Sequence, residues 1–337
     1  MKIWIDITNT PQVHFLLAIH KMLENSEREF QFTVRDFSET IKLMEQKTNE
    51  PFSIIGGHTK GNLAKKAFSV AKRTLSIGQF TKGIHASISC GSEAAIWNCF
   101  LRGIPTIAFG DNDLAKQWTY GRFVKHVFFP ECISPEILIR QGINANKIIS
   151  YPGYKEHIYL AHFKPNPNFL ERLPFRDYVV VRPENLRANY VNGDFAQSIT
   201  PELLRSLSEA GRNILYLPRY EEDRNYAKGI TSIYIPNEPI NGLDASYFSQ
   251  GVFTGAGTFA REAACLGIPS FSFFAGNDLL QVDKDLIAKG QMFHSRNAQL
   301  LMERFELTAP KSADLSAAKN TYNFVQQHLE NIFQQWH

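Results

Sequence analysis

Residues 255–258 of this chain read Gly-Ala-Gly-Thr, after the apolar run GVFT (251–254) and before FAREAACLG. Glycines between a strand and a helix let the backbone turn tightly and approach a ligand. The helix N-terminus then offers free N–H groups and a partial positive charge, so phosphate is the natural occupant. Thr258 can cap the helix or give its hydroxyl to the phosphate. Glu262, one helical turn on, can accept from a ribose diol. The plainer reading is a tight turn, a capped helix and Glu262 in a surface pair. Gly255, Gly257 and Ala260 also fit G-x-G-x-x-A, the dinucleotide fingerprint, with Asp278 after the next strand. That fingerprint ordinarily opens the first βαβ unit of a domain, and here it lies several strands in.

Arg182 and Arg219 each end an apolar run, VVVRP and LYLPR, which puts both at strand C-termini. Their planar, forked guanidinium groups suit bidentate phosphate contact. In the first half, DITNTPQVH (6–14) forms the first strand-to-helix loop. His14 there is a candidate general base near neutral pH, Asp6 a candidate to orient it, and Asn9 a candidate substrate contact. The plainer reading of His14 is a packed or capping side chain. Asp111 is a further catalytic candidate. Asp113 and Glu131 join Asn9 as candidate substrate contacts, or these acids cap helices.

Positioning such groups requires sheets. KIWIDI (2–7), FQFTV (30–34), FSII (52–55), HASIS (85–89) and PTIAF (105–109) read as strands with amphipathic stretches between them. YVVV (178–181), NILYLP (213–218), SIYIP (232–236), GVFT (251–254) and PSFSFF (269–274) repeat the pattern. Strand–helix alternation with unbroken apolar strands predicts parallel sheets buried on both faces. Residues 88–113 and 252–278 echo one another: a strand ends at Gly91 or Gly255, a helix follows, and Gly-Ile-Pro arrives at Gly103 or Gly267. The expected organisation is a Rossmann-like domain over 1–155, a Pro-rich linker over 156–176, a second such domain over 177–312, and a closing helix over 313–337. Two doubly wound domains facing each other would leave a cleft between their strand C-termini.

The bulk properties narrow the function. Lys and Arg number 36 against 33 Asp and Glu, a net of +3, which gives no case for nucleic acid. The four cysteines have neither zinc nor disulfide spacing, and thiols in a reducing cytoplasm are expected. No signal peptide or apolar run of membrane-spanning length is present. Residues 51–92 carry no Asp or Glu but include Lys60, Lys65, Lys66, Lys72, Arg73 and Lys82. Over residues 60–77 the basic positions interleave with apolar ones. Such a helix either lies on an anionic membrane or packs on the core with a solvated basic face.

WIDITNTPQVHF, TVRDFSET, GDNDLA, YPGYKEHIYL, VVVRPE and GAGTFAREAACLGIP, followed by VDKDLIAKG, resemble the domain of unknown function 354 family in order along nearly the whole chain. That family is similar in pattern to the GT-B group, which includes glycosyltransferases and UDP-N-acetylglucosamine 2-epimerases. The resemblance implies two Rossmann-like domains of GT-B type, with the nucleotide sugar held mainly by the second. By that analogy Gly255, Gly257 and Thr258 meet the diphosphate, Glu262 meets the ribose, Arg182 and Arg219 line the cleft, and His14 is the catalytic base. Gln12 stands where family members often carry His. The expected activity is glycosyl transfer from a nucleoside-diphosphate sugar, UDP-linked, to a glycan or lipid-linked acceptor in surface polysaccharide synthesis. No cofactor or metal is expected, and the location is cytoplasmic or peripheral at the inner membrane face. The runner-up is 2-epimerisation, for which Asp111, Asp113 and Glu131 would supply acid–base groups. A sugar-nucleotide sensor without turnover is the third reading.

Overall fold

The computed structural model describes residues 1–37, 39–57, 63–187, 197–309 and 313–336, with the backbone alone for 63–69. They form two compact units, Met1–Ala161 with Ala318–His337, and His162–Ala317.

Unit 1 begins with β1 (Lys2–Ile7), α1 (Pro11–Leu23), β2 (Glu29–Asp36), α2 (Thr40–Lys47), β3 (Phe52–Gly57) and α3 (Leu63–Ile77). It continues with β4 (Ala86–Ser89), α4 (Glu93–Leu101), β5 (Thr106–Phe109), β6 (His126–Pro130), α5 (Pro135–Arg140), β7 (Ile148–Tyr151) and α6 (Lys155–Leu160). Its seven strands are parallel in the order β3-β2-β1-β4-β5-β6-β7. Five of the six residues of β1 are buried, because helices cover both faces of a parallel sheet. The order reverses between β1 and β4, and the crevice beyond their C-terminal ends is where ligands of such sheets bind.

In unit 2, β8 (Val179–Arg182), α7 (Thr200–Glu209), β9 (Ile214–Tyr216), β10 (Ile233–Tyr234), α8 (Gly242–Tyr247) and β11 (Val252–Thr254) come first. Then follow α9 (Gly257–Cys265), β12 (Ser270–Ser272), α10 (Gln281–Ala288), β13 (Met292–His294) and α11 (Ala298–Glu306). The six parallel strands run β10-β9-β8-β11-β12-β13, reversing between β8 and β11. Phe253 stacks on Phe271 at 4.7 Å between centroids, and Phe305 of α11 meets both edge-on. The last helix, α12 (Ser316–Gln335), returns to unit 1. There Glu330 takes a two-pronged contact from Arg28, and Thr321 donates to the Pro152 carbonyl at 2.9 Å.

The echo in the sequence has a local cause. Gly103 and Gly267 both sit just past a helix with φ of 68° and 78°. Ile104 N–H donates to Cys99 O and Ile268 N–H to Ala263 O, five residues back. This is the helix-ending turn that a left-handed glycine permits, and the proline that follows lies just before the next strand.

The basic stretch departs from expectation in one place. Arg73, one of the six cations of this stretch, is not part of a solvated basic face: it is 7% exposed and turned inward onto Asp6. Lys72 is exposed, as is Leu75. Lys60 lies outside the described residues, as do the side chains of Lys65 and Lys66. Among the described residues no helix is long and apolar enough to cross a membrane.

Candidate functional site

Two sets of side chains gather at strand C-termini, one in each unit. In unit 2, Gly255 continues β11 and its N–H donates to the Arg182 carbonyl at the end of β8, at 3.0 Å. A Cβ on Gly255 would lie 2.6 Å from Glu184 Cα and 2.7 Å from its N, so only glycine fits against that backbone. Ala256 is the N-cap of α9 and supplies no side-chain bond. The first N–H groups of this nine-residue helix therefore have no intrahelical acceptor, and among the described residues the N-cap gives them no side-chain one. Thr258 lies inside the helix, so it is not the cap, and its hydroxyl accepts from Arg261 at 3.3 Å. Arg261 is held in turn by Asp283 at 3.1 Å.

Arg182 is half-buried, with its guanidinium 5.9 Å from the Phe259 ring centroid. Arg219 follows β9, where its backbone N–H donates to Asp223. The Arg219 Nε is buried with no partner among the described residues. Glu262 is half-buried on α9. Glu184, absent from the sequence-derived set, organises this edge. Its fully buried carboxylate accepts from Ser198 Oγ (2.7 Å), Ile199 N–H (3.1 Å), Thr200 Oγ1 (2.8 Å) and Arg296 (2.5 Å). The signal was an acid two residues past a buried strand, in VVVRPE.

In unit 1 a cavity of about 460 Å³ opens beyond the C-terminal ends of β1, β4 and β5. Asn9, Gln12, Arg73, Ser92, Asp111 and Lys155 are among its walls. Gln12 Oε1 accepts from the Thr8 N–H and hydroxyl, bracing the first loop. Asn9 Oδ1 is buried with no partner among the described residues. Asp111 pairs with Lys155 at 2.5 Å. Burial, outweighing the neighbouring Lys155, pushes the Cys90 thiol up to about 12, so this cavity-wall cysteine stays protonated. Glu131 is exposed and Asp113 is buried, and neither is among the described residues that line the cavity.

Asp6 does not orient His14. Its carboxylate accepts from Arg73 at 2.6 and 2.9 Å and from Thr33 at 2.5 Å, and Thr33 accepts from Trp4 at 2.8 Å. The cause is burial: a carboxylate with no exposed surface needs a cation, and α3 delivers one. His14 lies on α1, outside the cavity wall, stacked on Tyr159 at 6.0 Å. Burial, aided by Lys47, lowers its pKa to about 4, so the ring is neutral at physiological pH.

That shift has a stability consequence. Folded His14 binds fewer protons than unfolded His14 between about pH 6.5 and 4, so stability is lost as the pH falls through that window. The loss approaches about 3 kcal/mol. Melting curves from pH 7 to 4 check this: His14→Gln should lose less stability on acidification than the parent.

A family model described as a protein of unknown function (DUF354) matches residues 1–324. An uncharacterized protein of Methanocaldococcus jannaschii is 28% identical over 326 residues, 91% of this chain and 91% of that protein. The UDP-GlcNAc 2-epimerase of Methanocaldococcus jannaschii superposes with a TM-score of 0.72 at 16% identity, covering 98% of this chain and 100% of that one. The Neisseria meningitidis enzyme, bound to UDP-GlcNAc, gives 0.73 at 14% identity over 99% and 100% of the two chains. MurG of Acinetobacter baumannii gives 0.59 at 13% identity over 99% and 100%. These likenesses show the fold, which is α/β of GT-B type as expected.

Proposed function

This chain belongs to the DUF354 family, and on that premise we propose that it is a glycosyltransferase holding a nucleoside-diphosphate sugar by its diphosphate at the Gly255–Thr258 turn. One observation carries the reading: a glycine-bounded, uncapped helix N-terminus at the strand-order reversal of unit 2, beside the side chain of Arg182. Backbone N–H groups and a helix dipole at that place favour a diphosphate over a neutral ligand. The unpartnered Arg219 Nε supports the same reading, because a buried donor gains most when an anion satisfies it.

In the proposed reaction His14 takes the proton of an acceptor hydroxyl. The hydroxyl oxygen bonds to the anomeric carbon as the carbon–oxygen bond to the diphosphate breaks. Arg182, Arg219 and the α9 N-terminus hold the departing charge without calling on a metal. A neutral His14 is ready to accept a proton, and the acid limb of kcat/KM should fall near pH 4 rather than 6.5.

Epimerisation is the second reading, favoured by the closer superposition of the two epimerases than of MurG. It needs acid–base groups on both faces of the sugar C2. Of Asp111, Asp113 and Glu131 only Asp111 lines the unit 1 cavity, and it is ion-paired. UDP-GlcNAc incubated in D2O separates the readings, since epimerisation exchanges the C2 proton and transfer does not. Binding without either reaction would mark a sensor.

Calorimetry with UDP in EDTA should give micromolar affinity. Arg219→Ala and Glu262→Ala should each weaken it roughly tenfold, the loss of one charge-assisted hydrogen bond. Unchanged affinity in both variants would remove the nucleotide from this edge. We also propose cytoplasmic residence with peripheral membrane contact through residues 60–77. Lys72 and the 82%-exposed Leu75 support it. Co-sedimentation with anionic but not neutral vesicles is the expected result.

A further inference from the structure

We propose that the unit 1 cavity binds an acidic carbohydrate group, its anion held by Arg35 and a neighbouring hydroxyl donating to Asn9 Oδ1. The proposal rests on the reading above only in taking the ligand for a carbohydrate, the acceptor side of the transfer.

The cavity wall carries Arg35, Arg73, Lys116 and Lys155 against Glu93 and Asp111. Two of these cations are already matched. Lys155 is paired with Asp111, and Arg73 spends its donors on Asp6, Ser92 Oγ and the Ile55 carbonyl. Arg35 is different. Its Nε and one terminal nitrogen share the Gly57 carbonyl at 3.3 and 3.2 Å, and its guanidinium lies 5.9 Å from the Phe37 ring centroid. Among the described residues it has no carboxylate partner. The segment from residue 51 to 92, which includes β3 and α3, contains no Asp or Glu to provide one. Burial, and then the positive charge of Arg73, lower the Arg35 pKa below its ordinary value.

Two guanidinium groups therefore share the field of one buried carboxylate, Asp6. The other terminal nitrogen of Arg35 makes no bond among the described residues. A carbonyl oxygen satisfies a donor but does not neutralise a charge. An oxyanion does both, and a planar carboxylate or a phosphate matches the guanidinium fork.

The second feature of the wall is an acceptor. Asn9 lines the cavity, and among the described residues its Oδ1 has no donor. A buried oxygen in that state costs free energy until something donates to it. An anion alone cannot, but a hydroxyl can. A ligand carrying both an acid and hydroxyls, such as a uronic acid or a sugar phosphate, matches both Arg35 and Asn9. A neutral sugar answers only Asn9.

The test titrates the full chain, with and without saturating UDP, with methyl β-glucuronide, methyl β-glucoside and inorganic phosphate. The expected result is that the glucuronide binds roughly tenfold or more tightly than the glucoside, one charge-assisted bond's worth, and that phosphate displaces it. Arg35→Gln should abolish the preference, with folding checked by its melting curve. Asn9→Ala should weaken both sugars alike. Lys42→Gln, which removes an exposed charge on α2 outside the cavity wall, should keep the preference. Phosphate binding far more tightly than the glucuronide would identify the acid as a phosphate ester. Equal affinity for the two sugars, a preference that survives Arg35→Gln, or one lost equally in Lys42→Gln would each overturn the proposal. Acid preference without UDP binding would sink the nucleotide reading alone, and UDP binding without acid preference would sink this one alone.

Discussion

Arg73→Met should destabilise unit 1 by about 3–5 kcal/mol, the usual cost of stripping one partner from a buried ion pair. Asp6 has no exposed surface, so water cannot replace the lost cation. Thr33 would remain as its only side-chain donor among the bonds now present, and the Ser92 and Ile55 contacts would go as well. For a unit of this size the melting midpoint should fall by roughly 10 °C. Hydrogen exchange read at β1, β4 and α3 is the measurement, because a two-unit chain need not unfold in one step. The double change Asp6→Asn with Arg73→Met should recover much of the loss, since two neutral groups leave no uncompensated charge. A single variant as stable as the parent would show that Asp6 has another source of compensation.

Glu184→Ala should act on unit 2 by a similar amount, about 3–5 kcal/mol, and should also reach the proposed nucleotide edge. Four donors converge on this carboxylate, and one is the guanidinium of Arg296. Without it Arg296 loses the ion pair to Glu184 and keeps its bonds to the carbonyls of Phe273 and Gln197, which are neutral acceptors. The Gly255 turn lies against Glu184, so UDP affinity should drop at least roughly tenfold as the turn loses its backing. Glu184→Gln keeps the shape and most of the hydrogen bonds and should sit between the parent and Ala in both readouts. Stability lost with UDP affinity intact would separate the network from the site.

Much of the architecture was legible because it follows from local rules. β1 at Lys2–Ile7 was anticipated to the residue, since a short run rich in Ile and Trp before a turn signal leaves little else. The strand–helix alternation implied parallel sheets, and both units have them. The strands His126–Pro130, Ile148–Tyr151 and Met292–His294 went unread. They are three to five residues long, and only in Ile148–Tyr151, whose first three residues are half-buried, does the pattern scarcely differ from a loop; HVFFP is largely apolar and buried but too short to show a period. Gly103 and Gly267 were read from their spacing, because a helix-ending turn needs a left-handed residue wherever it occurs.

The site divides along the same line. The sequence by itself determined that Gly255 and Gly257 lie at the junction of a strand and a helix, that Arg182 ends a strand and Arg219 follows one, and that Asn9 and His14 fall near the first loop. Each is a matter of neighbours in the chain. Only the tertiary structure decided how they pair. Gly255 is required by the approach of Glu184, not by a left-handed backbone. Asp6 turned to Arg73, 67 residues away, and left His14 to Tyr159. Arg35, Asn9 and Lys155 came to one cavity from three separate elements. A buried charge takes whichever counter-charge the packed fold brings within reach, and that depends on how helices settle on a sheet. Side-chain periodicity records which face is covered, but carries no information about what covers it.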